Sequence, residues 1–288
     1  MSPLRGVRWG QPPLSFELHS SDDHVLARAS LIFRPWAPHA PAGSPCVWRV
    51  EPVRVGVAPA WRISGPPAGE PGTRESVTAA VRSVEFLAVQ ALFEWPSACA
   101  LHGALVVRGD RGVLLLGRGE SGKSTLACAL WERGWALLGD DMALVDAAAS
   151  LAWPAPRRVS LREHSRGLLG DALWQRLLAT PAAEQTREGC LFHPDEMDGR
   201  ERAGAVRLAA LVFLGRPGSP RVRGAGRLEP AHALLALLPY TNLALRLDAG
   251  EVIRRLRPLA GVVPAWDLAR GPLDEMVGTV EDILDGDR

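Results

Sequence analysis

Lysine is almost missing from this chain of 288 residues: of 33 lysine and arginine residues, Lys123 is the one lysine. Cysteine is sparse as well. Cys46, Cys99, Cys128 and Cys190 are scattered, with no CxxC pair, which argues against a disulfide framework or a zinc site and for buried free thiols. No apolar run reaches the roughly 20 residues of a membrane-spanning helix. The opening "MSPLRGVRWGQPP" lacks the apolar stretch of a secretory signal, so a cytoplasmic address is expected. Neither charge dominates. A net charge of +1 gives no global pull toward nucleic acid or an anionic membrane, and neither is expected as a partner. Internal repeats and long disordered tracts are also lacking. What remains is a globular composition, 47% hydrophobic, with length enough for a full core and a second, smaller lobe.

Residues 14 to 63 alternate apolar and polar in short runs, "LSFELHS", "ARASLIFRPW" and "VWRVEPVRVGV", interrupted by the Pro-rich "PWAPHAPAGSP". That period predicts strands. The stretch "SGPPAGEPG", 64 to 72, reads as a linker, which gives a β-rich lobe over 1–72 and a larger domain over 73–288. "ESVTAAVRSVEFLAVQALFEW" has helical spacing and should end at Pro96. Two apolar runs, Ala104 to Val107 and Val113 to Leu116, flank "RGDRG" as a hairpin. "STLACALWERG" then reads as a helix ending at Gly134, and "WALLGDDMALVD" as strand, acidic pair, strand. Further on, helices are expected at 165–179, 230–238 and 272–285, with a strand at 208–215.

The lone lysine lies in "GRGESGKST", residues 117 to 125, which fits GxxxxGK[ST] between an apolar strand and a helix. Gly117, Gly119, Glu120, Ser121, Gly122, Lys123, Ser124 and Thr125 form the expected phosphate cradle. Glycines let successive backbone N–H groups turn inward around phosphate oxygens, and the helix N-terminus adds partial positive charge. Lys123 can reach the β- and γ-phosphates of ATP, and Ser124 can ligate Mg²⁺. A compact ammonium on a flexible stem fits inside a ring of amides. A planar guanidinium is wider and carries its donors in a fixed fork. Arginine serves elsewhere in this chain, but not at this position.

Asp140 and Asp141 follow the strand "WALL", which βαβ logic places near the strand feeding the loop. One carboxylate could bind the metal and the other accept a proton from an attacking hydroxyl. With the hairpin turn centred on Asp110 and Arg111, His102 falls opposite about residue 119, beside the loop.

"LHGALVV", "GRGESGKST" and "ERGWALLGDD", in this order and spacing, resemble the catalytic core of the HPr kinase/phosphorylase family, with a closer match to its shorter bacterial relatives. The resemblance runs without a gap from His102 to Asp141. It implies an α/β fold, a P-loop kinase core of the HPr kinase/PEP carboxykinase type with a mixed sheet and helices, here preceded by the β-rich lobe. It implies that Asp141 accepts the proton of a substrate serine and that Asp140, Ser124 and Glu163 of "LREHSRGLL" serve Mg²⁺. Lys123 and His102 complete the catalytic set, and Arg166 matches the Arg-Gly that follows the family's Glu. Residues 1 to 95 do not resemble the family's usual N-terminal domain, and the segment that engages HPr is not recognisable after residue 216.

The expected function is transfer of the γ-phosphoryl group of ATP, with Mg²⁺, to a serine-type hydroxyl of a protein or peptide. Two alternatives stay open: a small-molecule kinase with the same site, and a nucleotide-dependent switch or ATPase without an acceptor. The identity of the acceptor and the formation of a homo-oligomer are open too. Arg157, Arg158 and Arg162 could steer a phosphate or lie solvated on a strand; Arg221, Arg223, Arg227, Arg254, Arg255 and Arg257 read as surface.

Overall fold

The computed structural model describes residues 5–11, 14–33, 45–66, 72–93, 99–155, 158–193, 204–216 and 224–286. Most of the Pro-rich stretch, Pro96, Arg157, Arg221 and Arg223 lie outside them. Two compact units result, Met1–Pro96 and Ser97–Arg288.

The first unit is a five-stranded sheet of β1 (Arg5–Gln11), β2 (Leu14–Ser20), β3 (Cys46–Val55), β4 (Ala58–Ser64) and β5 (Gly72–Arg74) in that order. Two helices accompany it, α1 (Asp23–Ile32) and α2 (Val77–Phe93). The strand expectation fails over α1. There Val25, Ala29 and Ile32 are buried at helical spacing, and the Asp22 carboxylate caps the first turn by accepting from the His24 N–H at 2.9 Å. Because this helix returns the chain to the same end of the sheet, β3 pairs parallel to β2, while every other pair here is antiparallel. The division between units falls after α2 rather than at the 64–72 stretch, since α2 packs against α1, β4 and β5.

The second unit is built on β6 (Cys99–Leu101), β7 (Gly103–Arg108), β8 (Arg111–Leu116), α3 (Lys123–Glu132), β9 (Ala136–Gly139), β10 (Ala143–Asp146) and β11 (Leu151–Trp153). A three-stranded sheet follows, β12 (Val159–Arg162), β13 (Glu184–Gln185) and β14 (Gly189–Phe192), with α4 (Arg166–Leu169) and α5 (Asp171–Leu178) inserted after β12. The predicted helix over 165–179 is thus broken at Gly170, preceded by a 3₁₀ turn at Glu163–Ser165. The chain closes with β15 (Val206–Leu214), β16 (Ala225–Leu228), α6 (Pro230–Leu237), α7 (Ala249–Val262), β17 (Ala265–Leu268) and α8 (Leu273–Asp285).

The main sheet runs β6-β10-β11-β15-β8-β7-β9, with β17 beside the later part of β15 and β16 outside it. The apolar runs of β7 and β8 are buried on both faces, as central strands require. Alternate residues divide between two cores. Ala104, Val106, Val113 and Leu115 face α3, α5 and α8, including Trp131, Trp174 and Val280. Leu105, Val107, Leu114 and Leu116 face α6 and α7, including Leu237, Leu256 and Leu259. Fully burying each such side chain contributes about 1.5–3 kcal/mol. The result is a mixed α/β layer structure. Among the described residues, no helix is long and apolar enough to cross a membrane.

Two details of this sheet position the site. Arg108 pairs with Arg111, so the hairpin turns at Gly109 and Asp110, and Gly109 takes the left-handed φ of +67° that the tight turn demands. His102 therefore lies opposite Gly117, not residue 119. The second detail is that β9 is not adjacent to β8. It runs in the same direction with antiparallel β7 between them, which separates the two strand ends by roughly 10 Å, two ladder spacings.

Candidate active site

Loop 117–122 leaves the end of β8 and enters α3 directly. Gly122 precedes the helix at φ +94°, and no side chain caps it. The first intrahelical bond is Leu126 N–H to Gly122 O, 2.9 Å. The amides before it have no acceptor within the helix, and the helix dipole adds positive character there. Gly117 permits the fold of the loop, because a Cβ at that position would collide with the Ser121 hydroxyl.

Lys123 is buried, 5% exposed. Its ammonium donates to the carbonyls of Gly117, at 2.8 Å, and Arg118, at 3.1 Å, and so folds over its own loop. Burial pulls its pKa below the usual lysine value, while the charges of Asp141 and then Asp140 push it back up. The cation is placed where a second source of negative charge would be welcome.

The two carboxylates are chemically distinct. Asp140 is 1% exposed and committed: the Ser124 hydroxyl donates to it at 2.8 Å, 3.1 Å from the second oxygen, and the Ser160 N–H of β12 donates at 3.2 Å. Asp141 is half-buried and adopts a left-handed φ of +62°, a strained conformation for a residue with a side chain. Its carbonyl oxygen lies 2.8 Å from His102 Nδ1. A carbonyl only accepts, so Nδ1 carries the proton, and in the neutral ring Nε2 is left with the lone pair. His102 itself is the corner between β6 and β7, fixed by its N–H on the Tyr240 carbonyl at 2.7 Å. This single residue carries the chain from pairing with β10 to pairing with β8.

The donor set suits Mg²⁺ at Ser124 and Asp140. Two adjacent oxygens of an octahedral magnesium, each about 2.1 Å from the ion, lie about 2.9 Å apart. Ser124 Oγ and the Asp140 oxygens have that separation, so the pair fits one edge of such a site. Glu163 is not joined to it by any described contact. Its side chain is 56% exposed and faces Arg166 at 3.5 Å, and Arg166 also holds Asp171 at 2.6 Å. Among the described residues, no cluster of three His, Cys, Asp or Glu side chains is preformed for a metal.

Glu163 nonetheless belongs to a turn docked on the loop. Ser165 and Thr125 share a buried hydroxyl bond of 2.9 Å, and Arg162 pairs with Glu120 at 3.1 Å. Arg158 neither steers phosphate nor lies solvated. It is buried and paired with Glu184 at 3.0 Å, bracing β12 where Ser160 meets Asp140. Trp174 is core, 1% exposed. Sequence reasoning missed Ser160, which acts through its backbone and has no side-chain signature. It also missed Arg270, whose guanidinium donates to the Glu120 carbonyl at 3.1 Å.

No protein-family model and no curated protein matches the chain. Among solved structures, the Hpr(Ser) kinase/phosphatase from Coxiella burnetii is similar at 14% identity and a TM-score of 0.36, over 65% of this chain and 94% of that one. The functional reading is carried by the residues of the chain itself.

Proposed function

We propose that this chain is an ATP- and Mg²⁺-dependent phosphotransferase that moves the γ-phosphoryl group to a serine-type hydroxyl of a protein or peptide. One observation carries the reading: a buried ammonium and an uncapped helix N-terminus stand beside two carboxylates, Asp140 bonded to Ser124 in the first turn of α3 and Asp141 held through its backbone by His102. In a P-loop site, the amides of the cradle and Lys123 hold and neutralise the phosphates. Ser124 and Asp140 would hold Mg²⁺, which supplies charge neutralisation at the transferring group.

Asp140 is held by Ser124 and Ser160 and serves the metal, which assigns the role of base to Asp141. It accepts the proton of the acceptor hydroxyl as the oxygen bonds to phosphorus, and the leaving oxygen departs on ADP. His102 holds the peptide of Asp141 in its left-handed turn and thereby aims the carboxylate.

Incubation with γ-labelled ATP and cell extract tests this. Asp141→Asn should lower label transfer by about 10²–10⁴-fold, and Lys123→Ala by about 10²–10³-fold. Label released only as free phosphate, or transfer unchanged in Asp141→Asn, would overturn the proposal in favour of an ATPase or of another base.

A further inference from the structure

Glu120 stands on the crown of the phosphate loop with a φ of +63°, a conformation that costs a non-glycine residue energy. Two arginines from distant parts of the chain converge on it. Arg162 ends β12, and its Nη1 lies 3.1 Å from the Glu120 carboxylate. Arg270 follows β17, and its Nη2 donates to the Glu120 carbonyl at 3.1 Å. Arg270 reaches that far by lying across Gly215, the residue after β15. A Cβ on Gly215 would sit 2.9 Å from Arg270 Nε and 3.4 Å from its Cγ. The chain keeps that surface bare for the arginine stem.

An acid on the rim of a phosphate cradle opposes the charge the cradle is built to receive. Glu120 and Arg162 are both solvent-open, 65% and 52% exposed. Exposed carboxylate–guanidinium pairs are weak and readily exchanged. A guanidinium on phosphate oxygens gains two parallel charge-assisted bonds and a larger opposing charge.

We infer that Glu120 is a built-in stand-in for phosphate: it holds Arg162 on the rim of the loop, and the polyphosphate chain of a nucleoside triphosphate displaces it. Arg162 and Arg270 are then phosphate-binding residues of the loaded site. The inference deepens the nucleotide reading above and rests on it. It makes a prediction of unusual sign, since removing a side chain from the phosphate loop should tighten binding.

Calorimetric titration of magnesium-ATP and of inorganic tripolyphosphate into the full-length protein tests it, with Glu120→Gln, Arg162→Ala, Arg270→Ala and the double variant Glu120→Gln/Arg162→Ala. Arg162→Ala should weaken both ligands about tenfold, and Arg270→Ala about threefold or more. Glu120→Gln should tighten both about fivefold, yet change binding by less than about twofold once Arg162 is gone.

Plain repulsion between Glu120 and phosphate predicts equal tightening in both backgrounds. That result, or weaker binding in Glu120→Gln, sinks the inference. Label transfer by the wild type without this pattern removes the inference and leaves the kinase. The pattern without transfer removes the kinase and leaves the inference. A protein that binds neither ligand removes both.

Discussion

The thiols separate by depth. Burial pushes the Cys99 thiol up to about 11, Cys190 up to about 12, and Cys128 well above its ordinary value, while half-buried Cys46 rises less. Only thiolate reacts, so at pH 8 a thiol reagent should titrate Cys46 alone in the native protein, with a rate that climbs with pH. Denaturant should reveal all four cysteines. A second fast native thiol would contradict the packing around β6, α3 or β14.

The same shifts carry a sign for stability. A thiol whose pKa is raised by folding keeps its proton longer in the folded than in the unfolded chain, so its contribution is intact below the ordinary value of 9.0. Stability should then fall as pH rises from about 9 toward 12, measurable as a declining denaturation midpoint.

Residues whose chemistry is written in side chains close together in sequence could be read as one candidate set: His102, Lys123, Ser124, Asp140 and Asp141 fall within one stretch, and the structure brings Ser124 to Asp140 and His102 to Asp141 where β7 begins and β8 and β9 end. Ser160 was not legible, because a backbone N–H looks the same in every residue. Arg270 was hidden among many other arginines.

Secondary-structure elements repeat this contrast. β7, β8, α3 and β9 were readable because their apolar runs, turn and cap signals are local. The helix α1 was misread because a short apolar-polar alternation satisfies both periods, and the capping Asp22 decides between them. β12 could not be assigned its role, which depends on the pair of Arg158, just before β12, and Glu184 of β13, far apart in sequence.

That pair gives a prediction of its own. Arg158→Ala removes the buried guanidinium that faces Glu184 and should destabilise the second unit by about 3–5 kcal/mol, read as a lower denaturant midpoint. Loss of label transfer should accompany it even below the melting temperature, because Ser160 no longer holds Asp140. Full activity in a destabilised variant would show that β12 is scaffold only.

For the chain as a whole, the division at Pro96 has a functional meaning. Both hydrophobic cores of the second unit lie between Cys99 and Leu284, and so does every residue placed in the candidate site. A fragment spanning 97–288 should fold with a cooperative melt and bind magnesium-ATP within about threefold of the full chain. Acceptor phosphorylation by the fragment then separates roles: unchanged transfer confines catalysis and acceptor recognition to this unit, while transfer lost with binding intact assigns recognition to residues 1–96. A fragment that does not fold would show that the first unit supplies part of the core.

The ammonium folded over its own loop makes the protein a self-reporting substrate for proteolysis. An endoprotease that cuts only after lysine has one peptide bond to attack in the entire polypeptide, and that bond lies in the first turn of α3, closed in the native state. The rate at which the chain falls into two pieces therefore counts the openings of a single helical turn, and any ligand that seats there should slow the clock.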